Sequence, residues 1–172
     1  MSVTPPAGKA STMNRLMNRL GRRAQGLLPL LTLGAALLLA GAAWAADRGT
    51  PEEAKAMAIK AAAYLKSVGP EKAFPEFDAP AGPWQDRDLY VTVQNTAGVM
   101  LARANNPGLI GKSLIDLRDV DGKPFVREVS AITDAGWVTL KWQNPVTKAV
   151  EPKTMYAVRV GDYLVGVGAY VK

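Results

Sequence analysis

From Leu89 to the C-terminus the strand-like segments follow one another through short turns, with one long exception in the middle. Leu89, Val91 and Val93 alternate with Tyr90, Thr92 and Gln94, the period of a strand with one core face and one semi-polar face. Asn95-Thr96-Ala97-Gly98 turns this strand into a second, Val99 to Ala102. Further strands are predicted at Trp137–Gln143, Lys153–Val160 and Tyr163–Val171, with a turn starting at Asn144-Pro145 and a two-residue hairpin at Gly161-Asp162. Tight connections permit only antiparallel neighbours, so the expected class is α+β with a five-stranded antiparallel sheet. The middle connection is too long for a turn and has to cross a face of the sheet. A crossing loop of that kind is where a ligand cavity can form.

The helices gather before and within that connection. Thr50-Pro51-Glu52-Glu53 combines a threonine cap, a proline at the first helical position and a glutamate three residues after the cap. Ala54, Met57, Ala58, Ala61, Leu65 and Val68 then recur at helical spacing, and Gly69-Pro70 ends the run. The small residues suit close packing against the sheet or against a second copy of helix 51–68. Prolines and aromatics from Pro70 to Pro83 predict a short helical turn and an ordered loop. In the middle connection a helical turn is expected at Ser113–Leu117, and a helix from Pro124 to about Ile132.

Arg15, Arg19, Arg22 and Arg23 precede an apolar stretch from Leu27 to Ala42 and then Ala43-Trp44-Ala45, the parts of a secretory signal cleaved after Ala45. Residues 1–45 are therefore expected to be a signal peptide, with 1–12 as an upstream extension, and 46–172 a single periplasmic or secreted domain. An uncleaved membrane anchor is the alternative, since Gly26 to Ala45 has the length of a bilayer span. Of the 21 basic residues five lie before Ala46, and of the 15 acidic ones none, so the remaining domain carries a net +1. That balance argues against a phosphate-backbone interface, and no nucleic-acid partner is expected. With no cysteine and no histidine, disulfides, thiol nucleophiles, imidazole bases and the commonest metal ligands are all missing.

The order and spacing of Leu89-Tyr90-Val91-Thr92-Val93, Asn106-Pro107, Gly111-Lys112-Ser113-Leu114, Asp119-Val120-Asp121-Gly122-Lys123-Pro124-Phe125, Trp142-Gln143-Asn144-Pro145, Lys153, Tyr156 and Leu164–Tyr170 resemble the single Cache family of extracytoplasmic sensor domains, which have a PAS-like fold. The resemblance covers most of 50–172. It implies a long N-terminal helix, a middle loop and helix over one sheet face, and a small organic ligand, often a short carboxylate, held between them. It also implies a membrane sensor kinase or chemoreceptor as partner. Because the chain ends at Lys172, the signal is expected to pass through a separate protein. The family often has a histidine shortly before the loop proline, where Ala104-Asn105-Asn106 stands here. A structural docking domain with a vestigial pocket, pairing through helix 51–68, is the second reading.

A small anion needs a cation within reach, donors to orient it and aromatic walls to exclude water. Lys153, Arg103 and Arg127 are the cations expected at the site, with Tyr90, Phe125, Trp142 and Tyr156 as walls and donors. Strand parity puts Tyr90 with Thr92, and Thr154 with Tyr156, while Lys153 and Met155 point the other way. Both sets cannot line one pocket without a bulge or a strand end. Asp119, Asp121 and Gly122 superficially suggest a calcium loop, with Glu128 at its twelfth place. Leu117 at the first place supplies no oxygen, so a tight turn is expected instead, with Asp121 bonding to nearby backbone. No catalytic pair and no cofactor or metal site is expected.

Overall fold

The computed structural model describes residues 48–171. The expected signal peptide lies outside the described residues. Helix α1 (Pro51–Val68) starts at the capping box: Glu53 N donates to Thr50 Oγ1 at 3.2 Å, and Thr50 N donates to Glu53 Oε2 at 2.8 Å. Two of the orphaned amides of the first turn are thereby satisfied locally, and Pro51 has none to satisfy. Its buried face is Ala54, Ala58, Ala61, Ala62 and Leu65, small enough for the helix to lie close across the sheet.

Helix α2 (Pro70–Asp78) follows directly, running nine residues through Pro75 where only a short turn was expected. Its second half buries Phe77, fully enclosed, beside Trp84 and Tyr64, and that packing outweighs the proline-rich local pattern. The strands are β1 (Gln85–Asp86), β2 (Leu89–Asn95), β3 (Met100–Arg103), β4 (Ala135–Gln143), β5 (Val150–Val160) and β6 (Tyr163–Tyr170). All pair antiparallel in the order β1-β2-β6-β5-β4, with β3 sharing the β1 edge of β2. The sheet therefore has six strands, one more than expected, because Gln85–Asp86 pairs with Tyr90 and Leu89 over two residues, too short to show periodicity.

The last strand in the sequence, β6, is central in space. Toward α1 it presents Val165, Val167 and Ala169, which join Val91, Val93 and the helix alanines in one core. Its other face looks at the middle connection, which runs from a short 3-10 turn (Pro107–Leu109) to helix α3 (Phe125–Ser130). α3 begins at Phe125 with Pro124 as its cap and ends at Ser130, inside the predicted bounds. The helical turn expected at Ser113–Leu117 is reduced to one hydrogen-bonded turn, Leu117 N donating to Leu114 O at 2.9 Å: Ser113 bridges Val99, and Leu114 N donates to Gly98 O at 2.8 Å. Backbone pairing with the β2–β3 hairpin competes there with local helix formation. The turn at 119–122 forms with Gly122 at φ 82, but Asp119 rather than Asp121 supplies its hydrogen bonds. Asp119 accepts from Asp121 N, Lys123 N and, across the gap to β4, Lys141 N at 2.9 Å, while Asp121 pairs with Lys141 Nζ. One carboxylate thus pins the lid to the edge of the sheet.

Candidate functional site

Between the sheet and this lid lies an apolar cavity. Its floor is Tyr90, Thr92 and Gln94 of β2, Met155 and Lys153 of β5, and Gly168 of β6. Leu140 and Trp142 of β4 and Arg103 and Met100 of β3 close the sides, and Leu114, Leu117, Phe125 and Val126 of the lid form the roof. Gln94 ties roof to floor, its Nε2 donating to Ser130 Oγ at 2.9 Å and to Val126 O at 3.3 Å. The cavity is small, about 40 Å³. At roughly 10–15 Å³ for each enclosed water, the space holds about three or four waters, the bulk of a short organic anion.

Two cations are buried at one end of it. Lys153 is 4 % exposed and Arg103 7 %, values that charged residues rarely reach without a counter-charge. Lys153 Nζ donates to the Tyr90 hydroxyl at 2.8 Å, and Arg103 Nη2 donates to the same oxygen at 3.3 Å. Lys153 also stands 4.0 Å from the Tyr90 ring centroid and 4.4 Å from that of Tyr170, and Arg103 lies 5.3 Å from Tyr90 and 5.4 Å from Trp142. Asn105 fixes the guanidinium from the side, its Oδ1 accepting from Arg103 Nε at 2.9 Å. Among the described residues no carboxylate lines the cavity.

The charges distort each other's titration. Burial pushes the Tyr90 phenol up, but Lys153 and then Arg103 outweigh it and hold the group down, to about 8. Burial presses Lys153 below the ordinary lysine range, against the opposing pull of Tyr90. Tyr170 is driven up, by burial first and by Tyr90 second, and its hydroxyl donates to Gln143 O at 2.7 Å. A phenol, with the buried Asp88 carboxylate acting on Lys153 as a lesser contribution, is a weak partner for two enclosed cations, and an anionic ligand beside it would complete the charge balance.

The geometry brings together Tyr90, Arg103, Phe125, Trp142 and Lys153 from the expected set, with Phe125 and Trp142 packed edge to face at 5.5 Å. Arg127 is not among them: it sits on the outer face of α3 and pairs with Asp116. Tyr156 is on the opposite face of β5 from Lys153, packed edge to face against Trp137 at 4.9 Å with Lys55 above its ring. The β5 alternation is unbroken, so the two cannot share a pocket.

A model of the family described as Single Cache domain 2 matches residues 45–172. The chain belongs to that family. Solved structures agree in fold. A methyl-accepting chemotaxis protein of Vibrio parahaemolyticus aligns at TM-score 0.60 and 22% identity, over 70% of this chain and 88% of that one. A periplasmic sensor domain of a chemotaxis protein aligns at 0.55 and 23%, over 70% and 90%. A Cache chemosensory domain solved for carboxylic acid recognition aligns at 0.55 and 22%, over 70% and 88%. No curated protein matches the chain.

Several residues of this Cache cavity escape the sequence reading: Thr92, Gln94, Met100, Leu114, Leu117, Leu140, Met155 and Gly168. Thr92 and Gln94 follow from Tyr90 by strand parity once a pocket is placed on that face. Gly166 and Gly168 carry a signal of their own, since glycine at every second residue of a buried strand leaves one face bare.

Proposed function

We propose that this Cache domain is an extracytoplasmic binding module for a short carboxylate, sensing rather than transforming its ligand. The observation that carries the reading is the convergence of Lys153 and Arg103 on Tyr90 inside a cavity with no acidic lining. One carboxylate oxygen facing Lys153 and the other facing Arg103 would turn an enclosed positive cluster into a charge-assisted network. An ammonium group would meet only like charge there. The small volume favours acids of about two or three carbons.

The ligand state would be handed to a membrane partner, a chemoreceptor or sensor kinase, a role in keeping with the chemotaxis proteins of similar fold. Residues 1–45 would serve as an export signal, leaving 46–172 as the working domain. Among the described residues no helix is long and apolar enough to cross a membrane.

The test is calorimetric titration and thermal denaturation of the exported protein with acetate, propionate and lactate, beside methylamine and glycine. The acids are expected to bind and to raise the unfolding temperature, by the equivalent of about 2.7 kcal/mol at a hundredfold excess over Kd. The amine and the amino acid should do neither, and the mass of the exported chain should begin at Ala46. Absence of binding by all three acids would overturn the ligand class.

A further inference from the structure

Lys153 reaches Tyr90 along a route that one residue keeps open. The two side chains belong to β5 and β2, which are not neighbours, because β6 lies between them. Strands two apart are separated by roughly 9.5 Å, too far for a lysine standing upright on its own strand to touch a tyrosine on the other. Lys153 instead lies down across β6. It crosses at Gly168, the residue paired with Met155 and one step beyond the Val91–Val167 pair, level with Tyr90. A Cβ at position 168 would stand 2.3 Å from Lys153 Cε, 3.1 Å from Cδ and 3.2 Å from Cγ. No side chain fits there together with the lysine, and the contact involves the stem along most of its length.

The backbone offers no other reason for glycine. Gly168 is in regular strand pairing with Met155 of β5 and lies outside the left-handed region that the chain's turn glycines occupy. Any residue could adopt its conformation. What excludes the others is the lysine. We propose that Gly168 is a positioning residue for the binding site, the bare point on the central strand that lays Lys153 across the sheet and delivers its ammonium to Tyr90 and to the ligand. It touches the anion's partner rather than the anion.

The inference rests on the carboxylate reading for its binding arm and on the lysine–tyrosine contact alone for its spectroscopic arm. Gly168→Ala should weaken propionate binding by at least roughly tenfold, the scale of one charge-assisted hydrogen bond. It should also move the lowered Tyr90 titration, assigned by its loss in Tyr90→Phe, back toward the ordinary phenol range, read by phenolate absorbance. Lys153→Met should do both, and Gly168→Ala placed on top of Lys153→Met should add nothing, since the residue acts through the lysine. Additive losses, or an unchanged tyrosine titration in Gly168→Ala, would overturn the proposal. Should Gly168→Ala fail to fold, Lys153→Ala/Gly168→Ala is expected to fold, because the clash has gone. Failure of that pair as well would also overturn it. If the wild-type protein binds no acid at all, the carboxylate reading falls while the tyrosine titration still decides the role of Gly168.

Discussion

The two faces of β6 are built on opposite rules. Toward α1 the strand sets Val165, Val167 and Ala169 against a helix of alanines, a dry core closed by Phe77 and Trp84. Toward the lid it sets Gly166 and Gly168, and the space left vacant by their missing side chains is filled by Met155, Lys153 and a cavity. One face stores stability as buried apolar area. The other gives up that area and encloses two cations beside a phenol, an arrangement that costs stability and, on the proposed function, would create affinity. Fold and function therefore divide across a single strand rather than between domains or between scaffold and loops.

The largest expected effect lies on the helix face. Phe77→Ala removes a fully enclosed ring from the aromatic cluster and should cost about 3–5 kcal/mol in urea unfolding. A loss below about 1 kcal/mol would mean that α2 is not part of the cooperative core. The pH response comes next and belongs to the lid face. The Tyr90 phenol is held at about 8 in the fold against its ordinary value of 10, so the folded protein sheds this proton before the unfolded chain does. Unfolding free energy should thus rise between pH 8 and 10, by at most about 1.4 kcal/mol per pH unit. The contribution is complete above pH 10 and disappears as pH falls through 8. Carboxylate affinity should run the other way, falling up to about tenfold per unit above pH 8 as the phenolate competes for the same cations. A flat profile, or one that Tyr90→Phe leaves unaltered, would place the titration elsewhere. The smallest effect has the opposite sign from the first: Lys153→Met should leave stability unchanged or raise it by about 1 kcal/mol, because a thioether suits that enclosure better than an ammonium. The same substitution should abolish acid binding. A loss of several kcal/mol instead would make Lys153 a structural residue and erase the contrast between the faces.

The core face was largely legible in the residue order. Thr50-Pro51-Glu52-Glu53 caps a helix through contacts within four residues, and the alternation of Leu89–Gln94 shows which side chains share a face. The helix at Pro70–Asp78 was obscured because its driving force is the burial of Ala73 and Phe77 against distant partners, not local propensity. Within the site, parity on β5 is enough to separate Tyr156 from Lys153. Which of the two faces Tyr90 depends on β6 lying between β5 and β2, a pairing that no local pattern states. Arg127 shows the same limit in the lid, where an α3 of only six residues leaves its rotation to be set by Phe125, Val126 and Val129.

By itself the amino-acid sequence determined five of the six strands, the capped first helix, the long crossing connection and the absence of imidazole and thiol chemistry, because these follow from composition and from interactions a few residues apart. Only the tertiary structure decided that the last strand sits in the middle, that Gly168 lets a lysine cross it, and that Lys153, Arg103 and Tyr90 meet. Those contacts join residues 13 to 63 positions apart, and their existence depends on register, which is settled when the whole sheet pairs.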